Sequence, residues 1–133
     1  MRYHITRSEL EILRVLWDAD SGLSRSEILE RSDEKTWKDS SIHILLNGLL
    51  KKGLIKESGF VRSGKVWGRL YAPDVSAMDY YKDMFDSGPR PKLEELLTYL
   101  LSRGDIQEET ISRMQKTLSC YKERFSDTAE QEE

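Results

Sequence analysis

Few side chains in this 133-residue sequence are equipped to make or break bonds. Its two histidines, His4 and His43, lie far apart, and its single cysteine, Cys120, has no histidine near it in sequence. Zinc-ligand spacing, a paired nucleophile and base, and a glycine-rich phosphate loop are all missing, so no metal, no cofactor and no catalytic residue is expected. Cys120 has no partner for an intramolecular disulfide and is expected to be an inert, buried thiol. What the sequence does carry is a stretch suited to non-covalent contact with an anion. Residues 36–71 hold seven basic side chains, Lys38, Lys51, Lys52, Lys56, Arg62, Lys65 and Arg69, against the acidic pair Asp39 and Glu57. Ser40, Ser41, His43 and Asn47 in the same stretch have the donors and acceptors that read base edges or phosphate oxygens. The alternative for each is an ordinary solvated polar face.

The charge is polarised along the chain. The net value is −3, but residues 1–73 hold 13 basic and 10 acidic side chains, and residues 74–133 hold 8 and 14. A phosphate-binding first half and an acidic second half fit this better than a uniformly acidic protein does. With 38% hydrophobic and 34% charged residues, the chain is expected to fold as one compact domain or two small ones. No apolar run exceeds three residues, against about 20 for a membrane span, and MRYHITRSEL lacks a signal-peptide core, so a cytoplasmic protein without membrane contact is expected.

The elements that must position these residues are mostly helical. Thr6 and Glu9 form one capping box and Ser24 and Glu27 another. The first helix runs to about Trp17 with Leu10, Leu13, Leu16 and Trp17 inward. The second is short and ends near Arg31, with Ile28 and Leu29 inward. Asp39 or Ser40 is expected to cap a third helix that Gly53 stops, with Ile42, Leu45, Leu46, Leu49 and Leu50 facing the core. That spacing leaves Ser40, Ser41, His43, Ile44 and Asn47 outward, and no local reason appears for Gly48 in its interior. From Leu54 to Pro73 the pattern changes to alternation around Arg62-Ser63-Gly64-Lys65, which predicts a hairpin whose apolar side lies on the helices. Three helices and a basic-tipped hairpin are the order of a winged helix-turn-helix, with helix three in the major groove and Arg62, Lys65 and Arg69 as wing contacts.

A fourth helix is expected from Ser76 to about Asp86, and Ser87-Gly88-Pro89-Arg90-Pro91 is the best linker candidate. Beyond it, Leu93, Leu96, Leu97, Leu100 and Leu101 form a stripe. Ile111, Met114, Leu118, Tyr121 and Phe125 form a heptad-like seam about 21 Å long at 1.5 Å per residue. Two such helices make a thin core alone, so burial against a second copy is favoured over docking on the first domain. The tryptophans 17, 37 and 67 and the tyrosines 71, 80, 81, 99 and 121 are assigned to packing. The domains read as a winged helix over 1–73, a helical dimerisation region over 74–125 and an acidic flexible tail over 126–133.

Specific residues carry a likeness. Ile5-Thr6-Arg7-Ser8-Glu9, Ile12-Leu13-Arg14-Val15-Leu16-Trp17, Trp37, Ser41-Ile42, Leu45-Leu46-Asn47, Leu49, Lys51-Lys52-Gly53-Leu54-Ile55 and the exit Leu70-Tyr71-Ala72-Pro73, Val75-Ser76 resemble the BlaI/MecI/CopY family of penicillinase repressors. The likeness covers about residues 5–85, with a helical tail similar in layout. It implies a homodimeric transcriptional repressor bound to an inverted-repeat operator, with helix-three contacts at Ser40, Ser41, His43, Ile44, Asn47 and Lys52. It also implies dimerisation through residues such as Leu93, Leu96, Leu97, Leu100, Ile111, Met114, Leu118 and Tyr121. In such repressors release follows cleavage of the C-terminal region by a regulatory protease, or a metal signal in the copper branch. That branch uses a C-terminal cysteine cluster, and Cys120 stands alone. The family pattern has Lys, Thr and Arg where this sequence has His43, Ile44 and Gly48. A winged-helix module that has lost operator binding and meets a protein through Ile44 is therefore the alternative.

Overall fold

Thr6 and Ser24 each start a helix by the same exchange of hydrogen bonds. In the computed structural model, which describes residues 2–132 except for the side chains of Ser63 and of 127–132, the Thr6 hydroxyl accepts from the Glu9 N–H at 3.2 Å and the Glu9 carboxylate accepts from the Thr6 N–H at 3.0 Å. Ser24 and Glu27 repeat the pattern at 3.3 and 3.1 Å. These boxes satisfy donors that a helix start would otherwise leave unpaired, and they open α1 (Arg7–Asp18) and α2 (Arg25–Arg31). The buried stripe of α1 is Ile12, Leu13 and Leu16, while Leu10 and Trp17 are half-buried, so the face is turned slightly from the one expected.

Neither Asp39 nor Ser40 caps the third helix. A single 3-10 turn, Asp39–Ser41, precedes α3 (Ile42–Lys51), and no side chain bonds to either start. Asp39 instead pairs with Lys35 at 2.7 Å. The far end of α3 is better secured. Gly53 takes a φ of 73°, its N–H donates to the Leu50 carbonyl at 3.1 Å, and the Leu54 N–H donates to the Leu49 carbonyl at 3.0 Å. This is a Schellman stop, and its usual apolar contact is available because Leu49 and Leu54 are both buried.

The hairpin forms from β2 (Ile55–Ser63) and β3 (Val66–Pro73), with a left-handed Gly64 first in a two-residue turn. A third strand was not legible in the sequence: β1 (Leu23–Ser24) pairs with Tyr71 and Leu70, giving an antiparallel sheet ordered β1-β3-β2. Two residues are too few to show a period. A register shift at Ser58 lets β2 bend as it leaves the core. Leu23, Ile28, Trp37, Ile42, Leu46, Leu49, Leu54, Ile55 and Val75 complete one core with the α1 stripe. The result is a mainly helical winged helix-turn-helix with a small sheet.

The sequence expectation ends the first domain at Pro73, whereas the chain divides into compact units Met1–Arg90 and Pro91–Glu133. The helix α4 (Ala77–Ser87) is held within the first unit. Trp17 Nε1 donates to the Val75 carbonyl at 2.8 Å, the Trp17 and Tyr80 rings lie 5.7 Å apart, and the Asp83 carboxylate accepts from the Arg2 and Tyr3 N–H groups at 2.8 and 3.2 Å. The second unit holds α5 (Leu93–Ser102) and α6 (Glu108–Glu132). The backbone of the acidic tail expected from Ser126 is thus helical as far as Glu132. Its side chains past Ser126, and Glu133, lie outside the described residues.

Candidate nucleic-acid interface

Helix α3 presents its outer side because Ile42, Leu46 and Leu49 are drawn into the core one or two turns apart. Ser40, His43, Ile44 and Asn47 are exposed and Ser41 is half-buried, so the structure brings together the polar group that the period predicts. Ile44 is 76% exposed, unusual for a β-branched apolar side chain with no partner. Arg25, at the start of α2, was not singled out in the sequence. Its guanidinium makes hydrogen-bond contact with the His43 imidazole. A lone arginine opening a short helix carries no periodic or motif signal, and only the fold, which brings the start of α2 to His43, discloses its place.

Lys52 has partners within the domain. Its ammonium donates to the Glu9 carboxylate at 2.6 Å and to the His4 carbonyl at 2.9 Å, so it is engaged inside the domain instead of standing free for a phosphate. Glu9 itself is only 4% exposed. Burial pushes its carboxyl up, but the hydrogen bonds from Lys52 and Thr6 outweigh this and hold it below its ordinary value of 4.5. The same carboxylate explains Gly48. A Cβ at that position would lie 3.3 Å from Glu9 Oε2, so the glycine makes room for a buried charge pair between α1 and the end of α3.

The wing departs from expectation in two ways. Residues directly opposite on paired strands share a face, which places Phe60 with Arg69 and Arg62 with Trp67 on the side of the hairpin that carries Tyr71. At the base that side meets the core through Tyr71 and Ile55. Farther out the strands outrun the helices, leaving Phe60 and Trp67 exposed, with Trp67 at 63%. The apolar side of the hairpin is therefore covered only at its base, and Trp67 is not a core residue. Arg62 lies over the Trp67 ring, 5.8 Å from its centroid, and donates to the Gly64 carbonyl at 2.8 Å. Arg69 pairs with Glu57 at 2.9 Å. Lys65 is exposed in the turn.

In the second unit no residue of α5 is buried. Leu93, Leu100, Ile111, Leu118 and Tyr121 are exposed, and Leu96, Leu97 and Met114 are half-buried. Tyr81 and Tyr99 are exposed too, and so is Cys120, against the expectation of a buried thiol. Among the described residues no helix is long and apolar enough to cross a membrane.

A family model for penicillinase repressors matches residues 5–120. The chain belongs to the penicillinase repressor family. It is 26% identical over 127 residues to the penicillinase repressor of Bacillus licheniformis, covering 90% of this chain and 93% of that protein. It is also 26% identical over 118 residues to a 16.5 kDa protein in the ptsI 3′ region of Latilactobacillus sakei, covering 87% and 79%. Among solved structures it is similar to PadR of Bacillus subtilis in complex with operator DNA, with a TM-score of 0.47, 22% identity, and coverage of 90% and 73%. Members of the penicillinase repressor family are transcription regulators, not enzymes, and this chain is a DNA-binding regulator of that kind.

Proposed function

We propose that this penicillinase repressor family member binds an inverted-repeat operator as a homodimer and so represses transcription. The observation that carries the reading is the outer side of α3, where Ser40, Ser41, His43, Ile44 and Asn47 stand clear of the core. In the proposed complex α3 lies in the major groove, with Ile44 against a thymine methyl and the polar side chains on base edges or phosphates. Arg62 and Lys65 of the wing contact the backbone. Lys52 and Arg69 contribute through the domain's own ion pairs instead. The exposed stripes of α5 and α6 are the proposed contact between copies, with Leu93, Leu96, Leu97, Leu100, Ile111, Met114, Leu118 and Tyr121 in it. A twofold dimer matches a twofold operator. A regulatory protease cutting within Pro91–Glu133 would separate the two DNA-binding units, which makes it a compatible off-switch.

The experiment is a fluorescence-anisotropy titration against an inverted-repeat duplex pool and a scrambled duplex, at two salt concentrations, beside the triple variant His43→Ala, Arg62→Ala, Lys65→Ala. Selective binding that weakens with salt and with the substitutions is the expected result. Binding no better than to the scrambled duplex would overturn it. The second reading, a protein-interaction module, is favoured by the exposure of Ile44 and would then lead.

A further inference from the structure

The outer side of α3 carries one cation of its own at its far end, Lys51, beside Ile44 and Asn47. Ser40, Ser41, Ile44 and Asn47 are uncharged side chains, and Lys52 is engaged by Glu9. At the start of α3 this side is reached by Arg25, which is exposed and touches His43. Arg25 is the first residue of α2. Among the described residues no carboxylate pairs with it. A guanidinium has only donors, so in this contact the His43 ring is the acceptor. The remaining guanidinium N–H groups are left for an acceptor outside the protein.

We propose that Arg25 is a DNA-contacting and positioning residue: its guanidinium takes a phosphate at the edge of the groove that α3 enters, and in doing so it holds the His43 imidazole against the base it reads. The inference rests on the operator-binding reading above. In a helix-turn-helix the helix before the reading helix crosses the sugar-phosphate backbone, and Arg25 sits at its start. A planar fork can bridge a phosphate and an imidazole at once, which a lysine ammonium does with less geometric definition.

The test uses the full chain and a duplex selected from a random inverted-repeat pool. Arg25→Gln, Arg25→Lys and His43→Ala, singly and combined, are titrated by anisotropy over a salt series, with base substitutions in the duplex as a second readout. Arg25→Gln is expected to weaken binding about tenfold and to lower the salt slope by about one per protomer. Arg25→Lys is expected to keep the slope and lose the base preference contributed by His43, so that His43→Ala costs less in that background than in the original. Thermal melting separates an unfolded variant from a folded non-binder, and the exposed Arg25 variants are expected to melt as the parent does. An unchanged salt slope in Arg25→Gln overturns the phosphate contact. An equal cost of His43→Ala in every background overturns the positioning role. In both cases the operator-binding reading stands, whereas failure of the unsubstituted chain to prefer any duplex removes both.

Discussion

At Glu9, a carboxylate that completes the cap of α1 also takes the ammonium of Lys52, and its near-complete burial makes both bonds matter. The carboxyl is held below 4.5 in the folded chain. The folded group therefore stays ionised at a pH where the unfolded one has gained a proton. Its stabilisation is complete above about pH 4.5 and is lost as pH falls through the depressed folded value. Glu9→Gln should cost roughly 1.5 kcal/mol at neutral pH and flatten that part of the acid limb. Thermal melts across pH 2–7, on the order of one per half unit, check this, and parallel curves for the two proteins would contradict it. Gly48→Ala tests the neighbouring contact. Alanine normally adds about 1 kcal/mol to a helix interior over glycine. Here the added Cβ meets Glu9 Oε2, so the gain should be larger in a Glu9→Ala background than in the original chain.

The two elements of the proposed interface are secured at one end each. Helix α3 lacks a side-chain cap at its start but ends in the left-handed Gly53, where any Cβ is strained. Gly53→Ala should cost about 1 to 2 kcal/mol, and denaturant unfolding would show it as a lower midpoint with an unchanged slope. The wing behaves oppositely. Its outer half lies beyond the helices, so Trp67→Ser should change stability by about 0.5 kcal/mol or less. Leu49→Ala, beneath α3, should cost about 2 to 5 kcal/mol. A Trp67 loss comparable to that of Leu49 would mean that the wing face is covered after all. The capping boxes, the helix order and the glycine-tipped turn were legible in the residues themselves because each is a local signal. The 3-10 entry to α3 and the strand β1 were not, since neither spans enough residues to show a period.

For the molecule as a whole, the first unit has a continuous core and the second has apolar stripes with no buried residue in α5. The proposed homodimer predicts sedimentation at about twice the 15.5 kDa chain mass. Leu100→Glu together with Leu118→Glu should shift it to the monomer and weaken binding to an inverted repeat far more than to a single half-site. A monomeric parent at micromolar concentration, or a double variant still dimeric, would contradict the dimerisation reading. Charge polarity belongs to this scale as well. The basic excess lies in residues 1–73, most of all in 36–71, and the acidic excess beyond it, so a local field favours DNA approach to the stretch that holds α3 and the hairpin.

By itself the sequence determined the helices, the capping boxes of α1 and α2, the hairpin and the outward side of α3, because periodicity and capping act over a few consecutive residues. It also carried the family likeness, which the match over residues 5–120 bears out. Only the tertiary structure decided which cations meet a carboxylate. Lys52 and Arg69 look as available in the sequence as Arg62 and Lys65, yet folding brings Glu9 and Glu57 to them from distant positions. It likewise brought Arg25 to His43 and placed α4 with the winged unit through Trp17, Tyr80 and Asp83. The physical reason is common to all of these. A salt bridge, a ring contact or a close approach depends on groups that meet through packing, and no local spacing records which distant side chain will be there.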